Sequence, residues 1–394
     1  MKRITTFFIL VFGTQLVLAQ PIIKTMKRLP DTGENTSYTT TFGEDNDYTI
    51  NAPYFTVLSS GVVLDTVTGL MWQQVDAGEM TIDKAIVYCD TLILAGFTNW
   101  RLPSAHEAFS ILNHQYANPS LLSTVFPVSL AEYWWTADRQ YNDTNKIWAT
   151  NAGGGIGNHP RTETISAGGT KKFHVRAVRD VVSPTTVANA FTDNGNQTIT
   201  DNLTQLVWQK NPRIDSMTWE DALQYADTFQ LAGYTDWRLP NIKELQSIND
   251  EKRGSPSINK TFFPTAITGK YFSSTTLPNQ TTKAWYLDTQ YGITTYQYKT
   301  VKLNVVLVRG DGTITTGVNS IQHKIETIIL PNPVHTTFEL FPTSHLYNVQ
   351  VLNAIGTLVL NLHQVNQIDL SNFANGWYYV ILPDEHQAIK LLKE

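Results

Sequence analysis

The chain has 394 residues, 16% of them charged, with a formal net charge of −5 and a single cysteine, Cys89. That balance excludes a basic field able to gather nucleic acid or an anionic membrane, and the lone cysteine excludes an intrachain disulfide, so stability must come from buried cores. Aromatic residues make up 11%, which suits extracellular β-rich structure and also the stacking of rings on sugars.

Lys2 and Arg3 precede an apolar run over residues 4–18, and Ala19 supplies a small residue for cleavage, so residues 1–19 read as a secretory signal peptide. No other segment approaches the about 20 apolar residues of a spanning helix, and no transmembrane segment is expected in the mature chain. Residues 20–56, with the polar run Asn35-Thr36-Ser37-Tyr38-Thr39-Thr40-Thr41, read as a leader arm of limited structure. Leu29-Pro30-Asp31-Thr32-Gly33 spells a sortase-type signal, but lacks the C-terminal position, apolar segment and basic tail that such a signal requires.

A long segment then occurs twice. Leu94-Ala95-Gly96-Phe97-Thr98-Asn99-Trp100-Arg101-Leu102-Pro103 returns, 137 residues on, as Leu231-Ala232-Gly233-Tyr234-Thr235-Asp236-Trp237-Arg238-Leu239-Pro240. A period of this length is a duplicated domain, because solenoid units are far shorter. The copies are assigned to residues 57–182 and 190–312. In each, a threonine (Thr81, Thr218) caps a helix whose apolar positions follow the 3.6-residue period: Ile82, Ala85, Ile86, Cys89, Leu92 and Ile93 in the first copy. Gly96 and Gly233 suit the position just past its end. Cys89 aligns with Ala226, which marks it as core filler. A second helix starts after Trp-Arg-Leu-Pro, where Ser104 with Glu107 and Asn241 with Glu244 form capping boxes. Trp100 and Trp237 are expected in the cores, with Arg101 and Arg238 pairing with Glu107 and Glu244. Runs such as Tyr133-Trp134-Trp135-Thr136 and Phe173-His174-Val175-Arg176-Ala177-Val178-Arg179 read as strands, so each copy is expected to be α+β with a small antiparallel sheet.

The ordered set Thr68-Gly69-Leu70-Met71-Trp72-Gln73, helix, Trp-Arg-Leu-Pro, aromatic run and Val175-Arg176-Ala177-Val178-Arg179 resembles the DUF1566 family, also called the Lcl C-terminal domain. The resemblance implies two tandem modules of C-type-lectin-like, formylglycine-generating-enzyme-like fold. A collagen-like adhesin of that family binds glycosaminoglycans, so it also implies binding and adhesion more than catalysis. The second copy departs from the pattern at Val306, where the first has Arg176, which puts any role of Arg176 in doubt there.

Residues 325–394 carry Pro331-Asn332-Pro333, Gly356, Asn375-Gly376-Trp377 and a final stretch with Lys390 and Lys393. They resemble a type A sorting domain of the type IX secretion system. Their alternating short strands read as a small β-sandwich. The resemblance implies passage through the outer membrane by the type IX machinery, removal of this domain, and release or attachment at the cell surface.

Evidence for catalysis is thin. His106 and His114 have Lys243 and Glu251 as counterparts, and no zinc-binding spacing is present. One buried-stripe cysteine cannot supply the Cys pair that holds copper in formylglycine-generating enzymes. Gly153-Gly154-Gly155-Ile156-Gly157 is not a phosphate cradle and reads as a flexible surface loop. No cofactor is expected. Asp193, Asn194, Asn196 and Asp201 are calcium candidates, with an Asn/Asp-stabilised turn as the alternative.

Function is sought where the copies differ. From Trp148 to Arg179 the first copy is longer than the second, and the extra length includes His159, Arg161, Gly168, Lys171 and Lys172. Trp135, next to Tyr133, is aligned with Ser273. Trp135, Tyr133 and this loop are therefore candidates for a ligand surface, with Arg161, Lys171 and Lys172 available to anionic groups; Trp135 would serve equally as core filler. The resulting expectation is an exported surface or secreted adhesin-like protein that binds a glycan or other surface polymer. The alternatives are an enzyme of the related fold and a structural envelope protein.

Overall fold

A computed structural model describes residues 22–58, 61–127, 132–163, 169–181, 183–310, 313–314, 328–341, 343, 345–354, 357–382 and 387–394. The signal-peptide segment 1–19, Gly168 and Gly356 lie outside the described residues.

Ten strands form one continuous sheet. The first copy contributes β1 (Glu79–Met80), β2 (Tyr133–Gln140), β3 (Asp143–Asn151), β4 (Ile156–Pro160) and β5 (Phe173–His174). The second contributes β6 (Arg213–Met217), β7 (Lys270–Thr276), β8 (Lys283–Asp288), β9 (Ile293–Tyr298) and β10 (Leu303–Val305). Their spatial order, β6-β10-β7-β8-β9-β4-β3-β2-β5-β1, is a palindrome of the two copies. At the centre β4 and β9 run antiparallel with Ile156 opposite Thr294. These two are counterparts, because Trp148 pairs with Asn158 as Trp285 pairs with Tyr296, two residues further on. Pairing of equivalent residues is what a two-fold axis requires, so the copies meet as protomers of an isologous dimer would. The pairing also buries two strand edges that separate copies would leave exposed.

The glycine run belongs to this seam, which corrects its reading as a flexible surface loop. Gly154 has φ +96, and a Cβ there would lie 2.8 Å from Ser120 Oγ and 3.2 Å from the Trp285 ring. A Cβ on Gly155 would lie 3.0 Å from the Thr294 carbonyl oxygen. Only glycine lets the first copy's turn approach the second so closely. A single apolar cluster crosses the seam, drawing Trp72, Phe109, Trp134 and Trp148 from one copy and Ile242, Leu277 and Trp285 from the other.

Each copy adds a four-stranded sheet, formed by Phe55–Leu58, Val62–Asp65, Leu70–Gln73 and Val178–Asp180 in the first and by Phe191–Asp193, Thr198–Asp201, Val207–Gln209 and Val308–Arg309 in the second. Among the described residues, strands take up 40% and helices 11%. The α+β class, with its pair of C-type-lectin-like modules, is therefore overturned in favour of a mostly β, sandwich-like architecture. The C-terminal segment contributes a three-stranded and a four-stranded sheet around Phe338, Leu340, Val349, Val351, Val380 and Leu391.

The described α-helices are α1 (Ile82–Thr91), α2 (Ala105–Ser110), α3 (Trp219–Thr228) and α4 (Ile242–Ser247). None is long and apolar enough to cross a membrane. α1 buries Ile82, Ala85 and Cys89, while Ile86 and Ile93 are exposed. Gly96 is not the helix stop: α1 ends at Thr91, and Gly96 sits inside a separate Leu94–Phe97 turn. Burial pushes the Cys89 thiol up to about 12.

The duplicated Trp-Arg-Leu-Pro makes the same Arg–Glu pair in both copies, with Arg101 also donating to Asp180 at 2.9 Å and Arg238 lying over the Tyr48 ring. Arg101 donates to Glu107 at 2.7 and 2.8 Å, and Arg238 to Glu244 at 2.6 Å twice. Both glutamates also accept from their capping-box backbone N–H, of Ser104 and Asn241. Trp100 and Trp237 are buried. Burial works against the Glu107 carboxylate, but the Arg101 guanidinium outweighs it and holds its pKa below the ordinary range.

α2 and α4 meet across the seam and cap each other. His106 donates to the Gln246 carbonyl at 3.0 Å, and its counterpart Lys243 donates to the Ser110 carbonyl at 2.7 Å. Each side chain thus satisfies a carbonyl near the C-terminal end of the opposite helix. The leader segment is threaded into the same junction. Lys243 also donates to the Asp31 carbonyl at 2.7 Å, the backbone N–H of His114 donates to the Thr32 carbonyl at 2.9 Å, and a Cβ on Gly33 would sit 2.4 Å from Asn113. Leu29, Asp31 and Thr32 are buried, so the sortase-like pentapeptide is an internal structural element. Its neighbours Glu44 and Asp45 accept from Thr276 and Thr275 of the second copy.

Two stability predictions follow from this junction. Arg238, 4% exposed at its side chain against 33% for Arg101, should be the less replaceable arginine, because lysine cannot reproduce a bidentate contact. Arg238→Lys should cost about 2–4 kcal/mol and Arg101→Lys about 1 kcal/mol in chemical denaturation. His114 is fully buried at the seam, donating to the Gly154 carbonyl at 2.9 Å, and burial depresses its pKa to about 3. The unfolded chain takes up this proton below about pH 6.5 and the folded one does not, so stability is intact above that pH and falls as pH drops toward 3. The slope is at most about 1.4 kcal/mol per pH unit, and His114→Gln should flatten it between pH 6.5 and 4.

Candidate functional site

The sheet's outer flank in the first copy carries chemistry that the second copy lacks. Side chains alternate across the strands, and on one face Tyr133 of β2, His159 of β4 and Phe173 of β5 form a cluster. Tyr133 stacks on Phe173 with centroids 4.9 Å apart and planes 19° from parallel, and His159 stands edge-on to both at 4.9 and 5.1 Å. Tyr133 is 38% exposed. The counterparts in the second copy are Lys270, Gln297 and Leu303. Burial, with Lys171 nearby, lowers the His159 pKa to about 4, so its ring is neutral at ordinary pH.

Trp135 does not belong to this surface. It is completely buried, its indole N–H donating to the Met80 carbonyl at 2.9 Å and its ring packed 4.3 Å from Phe173. Its alignment with Ser273 is also corrected. Thr136 and Ser273 make the same bond, to the carbonyls of Trp148 and Trp285, so Trp135 corresponds to Phe272, which is likewise buried. Arg161 and Lys171 are not available cations either, since they pair with Asp83 and Glu163. Lys172 is exposed at the rim.

The opposite face of β2 and β5 holds a polar group that sequence reasoning missed. Asp76 Oδ1 accepts from His174 Nδ1 at 2.8 Å, and Asp76 Oδ2 accepts from the Trp134 indole at 3.2 Å and lies 3.6 Å from Arg176. Burial raises the Asp76 pKa, but His174 and Arg176 outweigh it and hold the carboxyl below its ordinary range. Arg176 also donates to the carbonyls of Gln73 and Gln74 and lies over the Phe126 ring. At Arg176's position the second copy buries Val306, and the stretch matching Asp76 reads Asn211-Pro212-Arg213, without an acid. That joint loss was the available sequence signal.

The calcium candidates are engaged within their own turns. Asp193 accepts from the Gly195 N–H and Lys210, Asn196 accepts from Thr198, and Asn194 pairs with Thr198 and Thr200. Asp201 lies opposite Phe191, at the other end of that hairpin, and accepts from Leu203 and Thr204. In the C-terminal segment, Asn332 bridges to the last strand through the Lys390 carbonyl and the Leu392 N–H, between the exposed Pro331 and Pro333. Lys393 is buried and donates to Asn375, beside Gly376 at φ +145, while Lys390 lies 4.0 Å from the Trp377 ring.

The Lcl C-terminal domain profile matches residues 61–179 and again 197–309, more than half of the chain. The protein belongs to the Lcl C-terminal domain family. The secretion system C-terminal sorting domain matches residues 328–393, so this Lcl-family protein is directed by type IX secretion to the outer-membrane surface or the extracellular space. No curated protein and no solved structure matches the chain.

The neutral state of His159 is directly measurable. Its ring resonances in an NMR titration should show a midpoint near pH 4, and a midpoint near 6.5 would contradict the packing of Tyr133, His159 and Phe173 described above.

Proposed function

We propose that this surface or secreted protein is adhesin-like and binds a glycan or another surface polymer, and that the binding face is the Tyr133–His159–Phe173 cluster of the first copy. The observation that carries this reading is a stacked aromatic pair with one ring half open to solvent, present in one copy only and built on strands rather than on a loop. A neutral aromatic face suits the apolar side of a sugar ring, with polar groups at the rim for its hydroxyls. Lys172 is the exposed cation beside it, which admits an anionic polymer. The ion pairs of Arg161 and Lys171 hold the surrounding loop and the start of α1 in place.

The test is a glycan and glycosaminoglycan array probed with residues 20–320. Saturable binding to a defined group of sugars is expected. Tyr133→Ala should then weaken binding about tenfold or more, about 1.4 kcal/mol, with an unchanged circular dichroism spectrum, while Lys270→Ala in the second copy should leave it unaltered. A blank array, or equal losses from both substitutions, would contradict the assignment.

A further inference from the structure

Glu79, Glu132 and His174 converge beside Asp76, and one ligand atom from each lies within 4.8 Å of the other two. The sheet itself brings them together. Glu79 of β1 stands opposite His174 of β5, His174 is in register with Trp134 of β2, and Glu132 immediately precedes β2. We propose that this cluster is a binding site for one divalent transition-metal ion of the zinc class, with Glu79, Glu132 and His174 as ligands and Asp76 as the group that orients the histidine.

Donor chemistry selects the ion. One imidazole and two carboxylates suit zinc and its neighbours, whereas calcium and magnesium take oxygen donors throughout. Zinc ligands sit about 2.0–2.2 Å from the ion, which puts tetrahedral donors about 3.3–3.6 Å apart, so from their present separation of up to 4.8 Å the side chains draw in on binding, chiefly by rotation of the two glutamates. The histidine is already posed for the role. Its Nδ1 is held by Asp76 Oδ1 at 2.8 Å, leaving Nε2 as the nitrogen for an ion, the carboxylate–histidine arrangement that supports metal ligands elsewhere. Asp76 is itself fixed by the Gly78 N–H at 3.0 Å and by Trp134. Charge points the same way. Arg176 lies 3.6 Å from Asp76, whereas Glu79 and Glu132 bring two further carboxylates to the histidine, a surplus of negative charge that a divalent ion would offset. The second copy has Ser216, Gly269 and Asn304 at the three ligand positions, so each chain should hold one ion.

The experiment uses the tag-free mature chain stripped with a chelator. It is titrated with zinc chloride by calorimetry and with cobalt chloride by visible absorption. One equivalent should bind, with a cobalt ligand-field band that zinc displaces. His174→Gln and Glu132→Gln should each weaken zinc at least 100-fold, and Asp76→Asn, which removes the orienting carboxylate and with it the acidic partner of Arg176, about 10–100-fold. Glu79 is exposed, so Glu79→Gln is the variant whose loss of affinity cannot be assigned to misfolding. No saturable uptake of either metal by the parent chain would overturn the proposal. So would an affinity that Glu79→Gln and His174→Gln leave unchanged, which would place the ion elsewhere.

Discussion

The antiparallel pairing of β4 with β9 is the constraint on which the rest of the structure depends. Ile156 opposite Thr294 sets a pseudo-two-fold axis, and every other contact between the copies falls into place around it. The axis brings α2 against α4, so His106 and Lys243 reach the carbonyls of the opposite helix. It also opens a junction between the copies, into which the leader segment inserts Asp31 and Thr32. Glycine at 154 and 155 is needed because the two backbones would otherwise collide with Ser120, Trp285 and Thr294.

This geometry divides each copy into a flank committed to the partner and a flank left free. The committed flanks cannot diverge without breaking the shared core around Trp148 and Trp285. The free flank of the first copy carries Tyr133, Phe173, Glu79, Glu132 and His174, and the corresponding flank of the second carries Lys270, Leu303, Ser216, Gly269 and Asn304. One scaffold is thus used twice, and its distinctive chemistry is concentrated in one of the two places. The Trp-Arg-Leu-Pro element, by contrast, is kept in both copies because it ties a capping box to the strand beside it: Arg101 pairs in the bridge with Val178, and Arg238 with Val308.

The duplication, the paired capping boxes and the buried place of Cys89 could be read from residue order, since each depends on local spacing. The β content could not. Val62–Asp65 and Leu70–Gln73 are buried at every position, so they show no alternation for a period-two pattern to reveal, and several other strands are only two or three residues long. The order of the arm, residues 22–56, is hidden for a related reason. Its polar residues bury their side chains in hydrogen bonds to residues of the second copy, as Asp45 does with Thr275, and nothing in the arm's own composition signals distant partners. The match of Trp135 to Ser273 is off by one position in a run of three aromatics, as both the 137-residue step between the copies and the matching bonds of Thr136 and Ser273 show.

Native-state hydrogen exchange tests the shared sheet most directly. If the β4–β9 seam makes residues 22–310 one cooperative unit, amides in β3 and β8 should open with the same free energy and respond equally to denaturant. Separate opening of the two copies, with unequal free energies and unequal denaturant dependence, would contradict it.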